Sequence, residues 1–266
     1  MSIQFITSRD NGQVKAVKRL AQKNDGYKLA QQMWLEGEHL CETYLKSCHH
    51  TARTQLPTLQ TAVLSQSIQS VWLPRLEATA CEVVILPDAL FASLSSLPSS
   101  GGLGFVLGLS EHAPTIQATA HTVVLDRVQD AGNVGSILRS SAALGITQVL
   151  ALEGTARLWS SKVLRAAMGA HFELHLVEGL QASDVQLDVP LFATHVHGGE
   201  WLHQLQAEKR IPHPCAWVMG HEGQGVSQAM LDRASTRVNI HQVGQESLNV
   251  AAAAAVCLYA SMAGQT

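Results

Sequence analysis

Near its C-terminus the sequence reads Val238-Asn239-Ile240-His241-Gln242-Val243-Gly244-Gln245-Glu246-Ser247-Leu248-Asn249-Val250 and continues with five alanines. The stretch begins as a short β-like run, breaks at Gly244 and resumes at Ser247 as an apolar, alanine-rich segment, a composition that strongly favours a helix. Ser247 is predicted to cap that helix, which leaves the free N–H groups of its first turn at the mouth of the loop. A strand, a glycine loop and a polar helix start are typical of a small-ligand site, although a buried and capped C-terminal helix would explain this stretch taken alone.

The composition is that of a globular protein with reduced cysteines. The 266 residues leave room for one large domain or two of medium size, and 46% of them are hydrophobic. No apolar run is long enough to span a bilayer, and the first residues lack the basic-then-apolar pattern of a signal peptide. The five cysteines are scattered and odd in number, which favours free thiols. We therefore expect a cytoplasmic protein.

One segment near the N-terminus concentrates positive charge in a chain whose net charge is −3. The apolar residues Val14, Val17 and Leu20 have helical spacing, and the lysines fall on the other side of that helix. Such a cluster can neutralise RNA phosphates, although most basic helix faces are simply solvated. The predicted RNA-binding residues are Arg9, Lys15, Lys18, Arg19 and Lys23.

The first half of the chain alternates between predicted helices and strands. Helices are expected to begin near Asn11, Tyr27, Gly37, Ile68 and Pro87. Strands are expected over Gln32–Glu36, Thr61–Ser65, Cys81–Leu86 and Leu103–Leu109. We therefore predict a small α/β domain over residues 1–109, a linker over residues 110–119 and a second domain over residues 120–266.

The second half alternates more regularly and predicts a parallel sheet. Helices are expected over Asn133–Leu144 and Ser160–Met168. Strands are expected over Thr122–Leu125, Gln148–Leu152, Phe172–Val177, Leu191–Thr194 and Ala216–Met219. Apolar strands separated by helices indicate a sheet that is covered on both faces. Because ligands bind at the carboxyl ends of such strands, the loops after Leu125, Thr194, Met219 and Ile240 should share one edge.

Three polar or glycine-rich segments follow strands of this second half. The first contains Asn133, Gly135, Ile137 and Arg139. The second reads Gly220-His221-Glu222-Gly223-Gln224-Gly225, and the third is Ser247-Leu248-Asn249-Val250. In this order and spacing they resemble the three motifs of the SpoU (TrmH-like) branch of the SPOUT RNA methyltransferases.

The resemblance extends over nearly the whole chain and implies both a fold and an activity. Asn11, Lys15 and Trp34-Leu35-Glu36-Gly37 resemble the L30e-like substrate-binding domain that often accompanies this catalytic domain. The implied fold is an α/β SPOUT domain with a C-terminal trefoil knot, an exception to the rule against knots. The implied protein is a homodimer that transfers a methyl group from S-adenosylmethionine to a ribose 2′-hydroxyl in RNA. By motif position, the expected cofactor-binding residues are Thr194, His195, Gly220, Ile240, Leu248 and Asn249.

The resemblance also implies which residues carry the chemistry, namely Asn133, Arg139, Glu222, Ser247 and Asn249. The family's motif arginine, here Arg139, is often assigned as the base. A guanidinium is a poor base because its pKa lies above about 12. We favour a role in which Arg139 holds a neighbouring phosphate and stabilises a developing alkoxide, serving the partner's site in a dimer. The other four residues would build and orient the pocket.

Alternative functions remain open from the sequence. Ribosomal RNA is the favoured substrate, and transfer RNA is the alternative within the class. Outside the class, a knotted RNA-binding or assembly protein without catalysis would fail to bind the cofactor. A dehydrogenase is disfavoured because no Gly-x-Gly-x-x-Gly follows a first strand. No metal site is expected, since Cys48-His49-His50 and His195-x-His197 lack a second pair of ligands at metal spacing.

Overall fold

The computed structural model describes residues 2–23, 25–49, 56–95, 101–110, 114–196, 198–244 and 247–262. The chain forms two compact units. The first comprises Met1–His112 and Trp159–Phe172, and the second comprises Ala113–Leu158 and Glu173–Thr266. Part of the predicted linker, residues 111–113, lies outside the described residues. The L30e-like character of the first unit and the linker stay predictions.

The first unit contains a five-stranded mixed sheet within the described residues, in the order β1-β4-β3-β5-β2. Its strands are β1 Ser2–Phe5, β2 Gln32–Glu36, β3 Thr58–Ser65, β4 Glu82–Leu86 and β5 Leu103–Gly108. Its first five helices are α1 Gly12–Gln22, α2 Gly26–Ala30, α3 Glu38–Cys48, α4 Gln69–Leu76 and α5 Asp88–Ala92. The four predicted strands and five predicted helices are confirmed. β1 was not predicted because all four of its residues are exposed, which leaves no alternation of buried and exposed positions.

The second half contains seven strands and five helices within the described residues. The strands are β6 Thr122–Asp126, β7 Gln148–Leu152, β8 His175–Leu180, β9 Leu191–Thr194, β10 Glu200–Trp201, β11 Ala216–Gly220 and β12 Thr236–Asn239. The helices are α6 Ala131–Ala143, α7 Ser161–Ala167, α8 Leu202–Ala207, α9 Gln228–Leu231 and α10 Val250–Met262. The strands form one sheet in the order β10-β12-β9-β11-β6-β7-β8, and every described pairing is parallel. The predicted parallel sheet is therefore confirmed.

Helix α7 packs in the first unit although it lies in the second half of the sequence. Leu164 and Phe172 belong to the hydrophobic core formed by the first sheet and α3. The Ser161 hydroxyl donates to the carbonyl of Ala21 at 3.0 Å. The Phe172 ring also lies 5.3 Å from that of Tyr44, centroid to centroid. This packing explains why the predicted start of a strand at Phe172 is wrong: the segment Ala170–Glu173 forms a 3-10 turn, and β8 begins only at His175.

The C-terminal helix begins two residues later than a cap at Ser247 would imply. The Asn249 side chain caps it, because its Oδ1 accepts from the N–H groups of Ala251 at 2.8 Å and Ala252 at 3.3 Å. At the other end, Trp217 Nε1 donates to Ser261 Oγ at 2.8 Å, and both residues are buried. These contacts fix α10 on the second sheet. No helix within the described residues is long and apolar enough to cross a membrane.

Candidate functional site

The loops that carry the three motifs leave the same edge of the second sheet. Gly220 of β11 lies opposite Asp126 of β6, and Val238 of β12 lies opposite Thr194 of β9. Since these pairs are parallel, the carboxyl ends of the four strands meet at one edge, as predicted. The Thr194 hydroxyl donates to the carbonyl of Val218 at 3.0 Å, which ties β9 to β11 at this edge.

The first motif occupies the start of α6. The carboxylate of Asp130 accepts from the backbone N–H of Asn133 at 2.8 Å and caps the helix. Asn133 therefore lies in the first turn, and its side chain is free to reach out of the helix.

The second motif is a tight turn after β11. The backbones of His221 and Gly225 form a pair of hydrogen bonds at 3.0 and 2.8 Å. A Cβ atom on Gly220 would lie 2.2 Å from the backbone nitrogen of Val226, so a side chain cannot be accommodated there without a shift of the backbone. Gly225 has a φ of +69°, a conformation that favours glycine. These two glycines close the turn and place Glu222 at its tip.

A continuous chain of hydrogen bonds joins the three motifs through Glu222, Asn133 and Asn249. Asn133 Nδ2 donates to Glu222 Oε1 at 3.1 Å, and Asn249 Nδ2 donates to Asn133 Oδ1 at 2.9 Å. The Glu222 carboxylate also accepts from the backbone N–H groups of Gln129 at 3.3 Å and Asp130 at 3.2 Å. The structure thus brings together three of the five residues predicted to carry the chemistry.

These contacts set the charge state of Glu222. Burial alone would raise the pKa of its carboxyl group, but hydrogen bonds from Asn133 and from backbone N–H groups outweigh it and hold the pKa below the ordinary value. A carboxylate with a lowered pKa and both oxygens engaged is a poor proton acceptor. Glu222 therefore serves as an anionic anchor for the loops.

A second anchor at the same edge was missed by the sequence reasoning. Asp126 is buried at the end of β6 and accepts from the backbone N–H of Ser227 at 2.5 Å and from Arg127 Nε at 3.0 Å. Arg127 has a φ of +60°, and its Nη1 donates to Gln224 Oε1 at 3.0 Å. The two residues hold the turn after β11 against the loop after β6. The available signal was an Asp-Arg pair at the end of an apolar strand.

Arg139 and Ser247 are not part of these networks. Arg139 is exposed on α6, and its side chain makes no hydrogen bond or ion pair with any residue that the structure describes. Ser247 is also exposed, and its neighbours Gln245 and Glu246 lie outside the described residues. Leu248 is 41% exposed, and its N–H donates to Gln242 Oε1 at 3.2 Å. The guanidinium of Arg139 is therefore free to bind an anion.

The remaining predicted cofactor residues line the same edge. Thr194, His195 and Ile240 are half-buried where β9 and β12 end, and the His195 N–H donates to the carbonyl of Val238 at 2.9 Å. No group of three or more histidine, cysteine or acidic side chains is arranged to hold a metal ion within the described residues, and His50 and His197 lie outside them. The five predicted RNA-binding residues belong to the first unit, on α1 and beside it, and all are exposed.

Comparison with known proteins assigns the second unit's motifs to a family. Residues 120–259 match the SpoU rRNA Methylase family. The chain belongs to this family. The resemblance of the three motifs to the SpoU branch is confirmed.

The SpoU relatives match nearly the full length of the chain. It is 30% identical over 260 residues to the 23S rRNA (guanosine(2553)-2'-O)-methyltransferase RlmP of Bacillus subtilis (strain 168), covering 96% of this chain and 97% of the relative. A solved RNA 2'-O ribose methyltransferase is 25% identical with a TM-score of 0.76, covering 98% of this chain and 99% of the other. An AdoMet-bound rRNA methyltransferase from Sinorhizobium meliloti shares the fold, with 20% identity, a TM-score of 0.81 and 97% coverage of both chains.

The anchoring role of Glu222 predicts an acid-dependent loss of stability. Because its folded-state pKa lies below the ordinary value of 4.5, its contribution is present above that pH and is lost as the pH falls through the folded-state pKa. Glu222→Gln should therefore lower the free energy of unfolding at neutral pH by at most about 1 kcal/mol, because the carboxylate is exposed and solvent screens its hydrogen bonds. The difference from wild type should shrink as the pH falls below 4.5. Thermal unfolding across this pH range measures both effects.

The exposed residue Glu77 provides the control. Glu77→Gln removes a carboxylate far from the motifs in sequence and should leave the melting temperature within about 1 °C of wild type. A Glu222→Gln variant with a pH-independent deficit, or with none, would contradict the anchoring role.

Proposed function

We propose that the chain is a ribose 2′-O-methyltransferase that modifies ribosomal RNA with S-adenosylmethionine as the methyl donor. The observation that carries the proposal is the hydrogen-bonded chain Glu222–Asn133–Asn249, which draws the three motif segments to one edge of the sheet. Membership of the SpoU family and the identity to a 23S rRNA methyltransferase support the reaction and the substrate.

The edge of the sheet suits a ligand with a flat apolar part. Ile240 is half-buried, while Val243 and Leu248 expose their apolar side chains in the loop after β12. Exposed apolar groups beside backbone N–H and carbonyl groups are typical of small-ligand sites. S-adenosylmethionine, when bound, supplies a methyl group activated by a sulfonium. The residues that would hold it are Thr194, His195, Gly220, Ile240, Leu248 and Asn249.

Most of the chemical residues act by positioning. Both ends of the Asn133 amide and of the Asn249 amide are engaged in hydrogen bonds, so these side chains shape the loops. Ser247 lies at the loop's exit, exposed to solvent. Methyl transfer requires an oxygen nucleophile in line with the bond that breaks, and a rigid pocket provides that alignment.

Arg139 is the residue available to the RNA. Its exposed guanidinium can hold the phosphate next to the target ribose with two parallel hydrogen bonds. The same positive charge stabilises the 2′-oxygen as its proton passes to solvent water and the bond between the methyl carbon and the sulfonium sulfur breaks. This assigns Arg139 to substrate positioning and charge stabilisation rather than to proton removal, since a guanidinium stays protonated in proteins.

The wider architecture follows the same proposal. The segment after β12 is proposed to thread into a trefoil knot, which is supported by the place of β12 between β10 and β9 and by the packing of α10 on α6 and β11. The first unit is proposed as the L30e-like RNA-binding domain, with Arg9, Lys15, Lys18, Arg19 and Lys23 facing the RNA. A cytosolic location in ribosomal RNA processing is supported by five free thiols.

Helices α6 and α10 pack against each other within one chain. A homodimer is proposed to form through the faces of these two helices that remain exposed. Val256, Tyr259 and Met262 expose apolar side chains along α10. Gly132, Ser136, Arg139 and Ala143 are exposed along α6. An apolar stripe beside small residues allows two helix pairs to approach closely around a two-fold axis. Arg139 would then point towards the partner's site.

Labelled methyl transfer from S-adenosylmethionine to unmodified ribosomal and transfer RNA tests the reaction. We expect label in ribosomal RNA, and a loss of about 100-fold or more in kcat/KM for Arg139→Ala because a charged contact in the transition state is removed. Arg139→Lys should also lose most activity, since an ammonium cannot make the paired contact. Cofactor affinity, measured by calorimetry, should change less than about twofold in both variants.

Each other outcome of this experiment selects an alternative. Label in transfer RNA alone would reassign the substrate. Absence of both label and cofactor binding would favour the knotted RNA-binding protein without catalysis. A nearly fully active Arg139→Lys variant would contradict the paired contact.

Mixing two inactive variants tests whether Arg139 serves the partner's site. Leu248→Glu places a charge in the cofactor loop at an exposed position, so the fold should be kept and cofactor binding lost. If Arg139 acts across the dimer, re-equilibrated mixtures with Arg139→Ala should recover roughly a quarter of wild-type activity, because half of the dimers are mixed and each holds one intact site. Activity that stays at the level of the separate variants would place Arg139 in its own subunit's site. Tyr259→Glu, which should prevent dimerisation, is the control for subunit exchange.

A further inference from the structure

A partly open cavity of about 360 Å³ lies in the first unit, between α1 and its sheet. The helix contributes Val14 and Val17 to its wall, and the strands contribute Val63, Val84 and Val106. Well-packed cores contain few voids larger than a water molecule, whereas pockets for small ligands begin at about 300 Å³. The volume is therefore within the range of small-ligand pockets.

One end of the cavity is polar and rich in glutamine. Gln13, Gln32, Gln60 and Glu82 line it. Gln13 Nε2 donates to both oxygens of Glu82 at 3.3 Å, and Gln32 Nε2 donates to Gln60 Oε1 at 2.5 Å. Gln13 Oε1 is buried and has no hydrogen-bond partner within the described residues. A buried acceptor without a partner costs free energy, which a donor on a bound ligand would recover.

The groups at this end match the edge of a nucleobase. Gln13 Oε1 and the Glu82 carboxylate accept hydrogen bonds, and the Gln60 amide nitrogen can donate one. Guanine offers two neighbouring donors, N1–H and the exocyclic amine, beside the acceptor O6. Uracil has no exocyclic amine. The valine-lined part of the cavity would enclose the flat faces of the base.

The opposite side of α1 carries the positive charge that a nucleic acid strand requires. Lys15, Lys18 and Arg19 are exposed there, and the 2.8 Å ion pair of Lys15 with Asp10 is itself exposed and weak. One helix thus presents basic side chains to solvent and apolar side chains to the cavity. A phosphate backbone along α1 could place one splayed base in the cavity.

We propose that this cavity is a pocket for one unpaired nucleobase of the bound RNA, with guanine preferred. The proposal rests on the proposed function, because it takes RNA to be the ligand of the first unit. It adds a specificity-determining site in a unit whose basic residues alone would bind RNA without regard to sequence.

Fluorescence anisotropy with oligouridylates of about ten nucleotides tests the pocket. One oligonucleotide carries a single central guanosine and the other contains uridine only. The full-length wild type should bind the guanosine-containing strand about fivefold or more tightly. Equal affinities would overturn the proposal.

Two substitutions separate a ligand pocket from a structural void. Ala16 lines the cavity, so Ala16→Leu should fill it, raise the melting temperature and abolish the guanosine preference. Gln13→Leu removes the unpartnered acceptor and should also abolish the guanosine preference. If Ala16→Leu fails to fold, the affinities of Gln13→Leu test the pocket instead. Both variants should bind the all-uridine strand within about twofold of wild type. The control Gln22→Leu, at an exposed position of α1, should retain the preference. A filled, stabilised Ala16→Leu variant that keeps the preference would overturn the proposal.

Binding of free guanosine monophosphate tests whether the pocket takes a base from an RNA strand or a free nucleotide. We expect it to perturb the methyl NMR signals of Val63 and Val84 only at concentrations far above those at which the strand binds, because it lacks the contacts to the basic face. Binding as tight as that of the strand would overturn RNA as the source. Since all readouts are binding, a chain that shows the preference but transfers no methyl group refutes only the proposed function. A chain that methylates without the preference refutes only the pocket.

Discussion

The site depends on one constraint, the chain of hydrogen bonds from Glu222 through Asn133 to Asn249. It connects the turn after β11, the start of α6 and the cap of α10. Asn133 lies 89 residues from Glu222 and 116 residues from Asn249 along the sequence. Parallel strands bring these segments to one edge, but strand pairing alone leaves the loops free to move. The side-chain bonds remove that freedom, and the buried Asp126 with Arg127 holds the same turn from the other side. These hydrogen bonds hold the turn after β11, the start of α6 and the start of α10 together without a ligand.

In this arrangement some residues hold the loops and others remain available to contact ligands. Glu222, Asn133 and Asn249 hold one another by hydrogen bonds, and the lowered pKa of Glu222 keeps its carboxylate anionic at neutral pH. What remains available is backbone, exposed apolar side chains and the guanidinium of Arg139. A site of this kind accelerates a reaction by alignment and charge stabilisation rather than by general base catalysis.

The sequence predicted more of the fold than of the hydrogen-bond network in the site. Buried strands such as Gln148–Leu152 can be predicted because both of their faces are covered and the residues after Gln148 form a continuous apolar run. The edge strand Ser2–Phe5 is exposed at every position and has no apolar pattern of this kind. Phe172 was misassigned because its ring packs in the core of the first unit, a contact that periodicity does not encode. The motif residues were found by their order, but the bond between Asn133 and Asn249 and the anchor at Asp126 depend on strand register. The sequence also predicted a polar cap at the start of the C-terminal helix, but the cap of α10 is Asn249 and not Ser247.

We infer that the bond between Asn133 and Asn249 organises the loop proposed to bind the cofactor, and a double-mutant cycle on S-adenosylmethionine affinity measures this contribution. Asn249→Asp keeps the oxygen that caps α10 but loses the amide donor, so it breaks this bond while sparing the helix. Combined with Asn133→Ala and measured by calorimetry, the cycle should give a coupling free energy of about 1 kcal/mol or more. Effects that add within about 0.5 kcal/mol, with the melting temperatures preserved, would contradict the account.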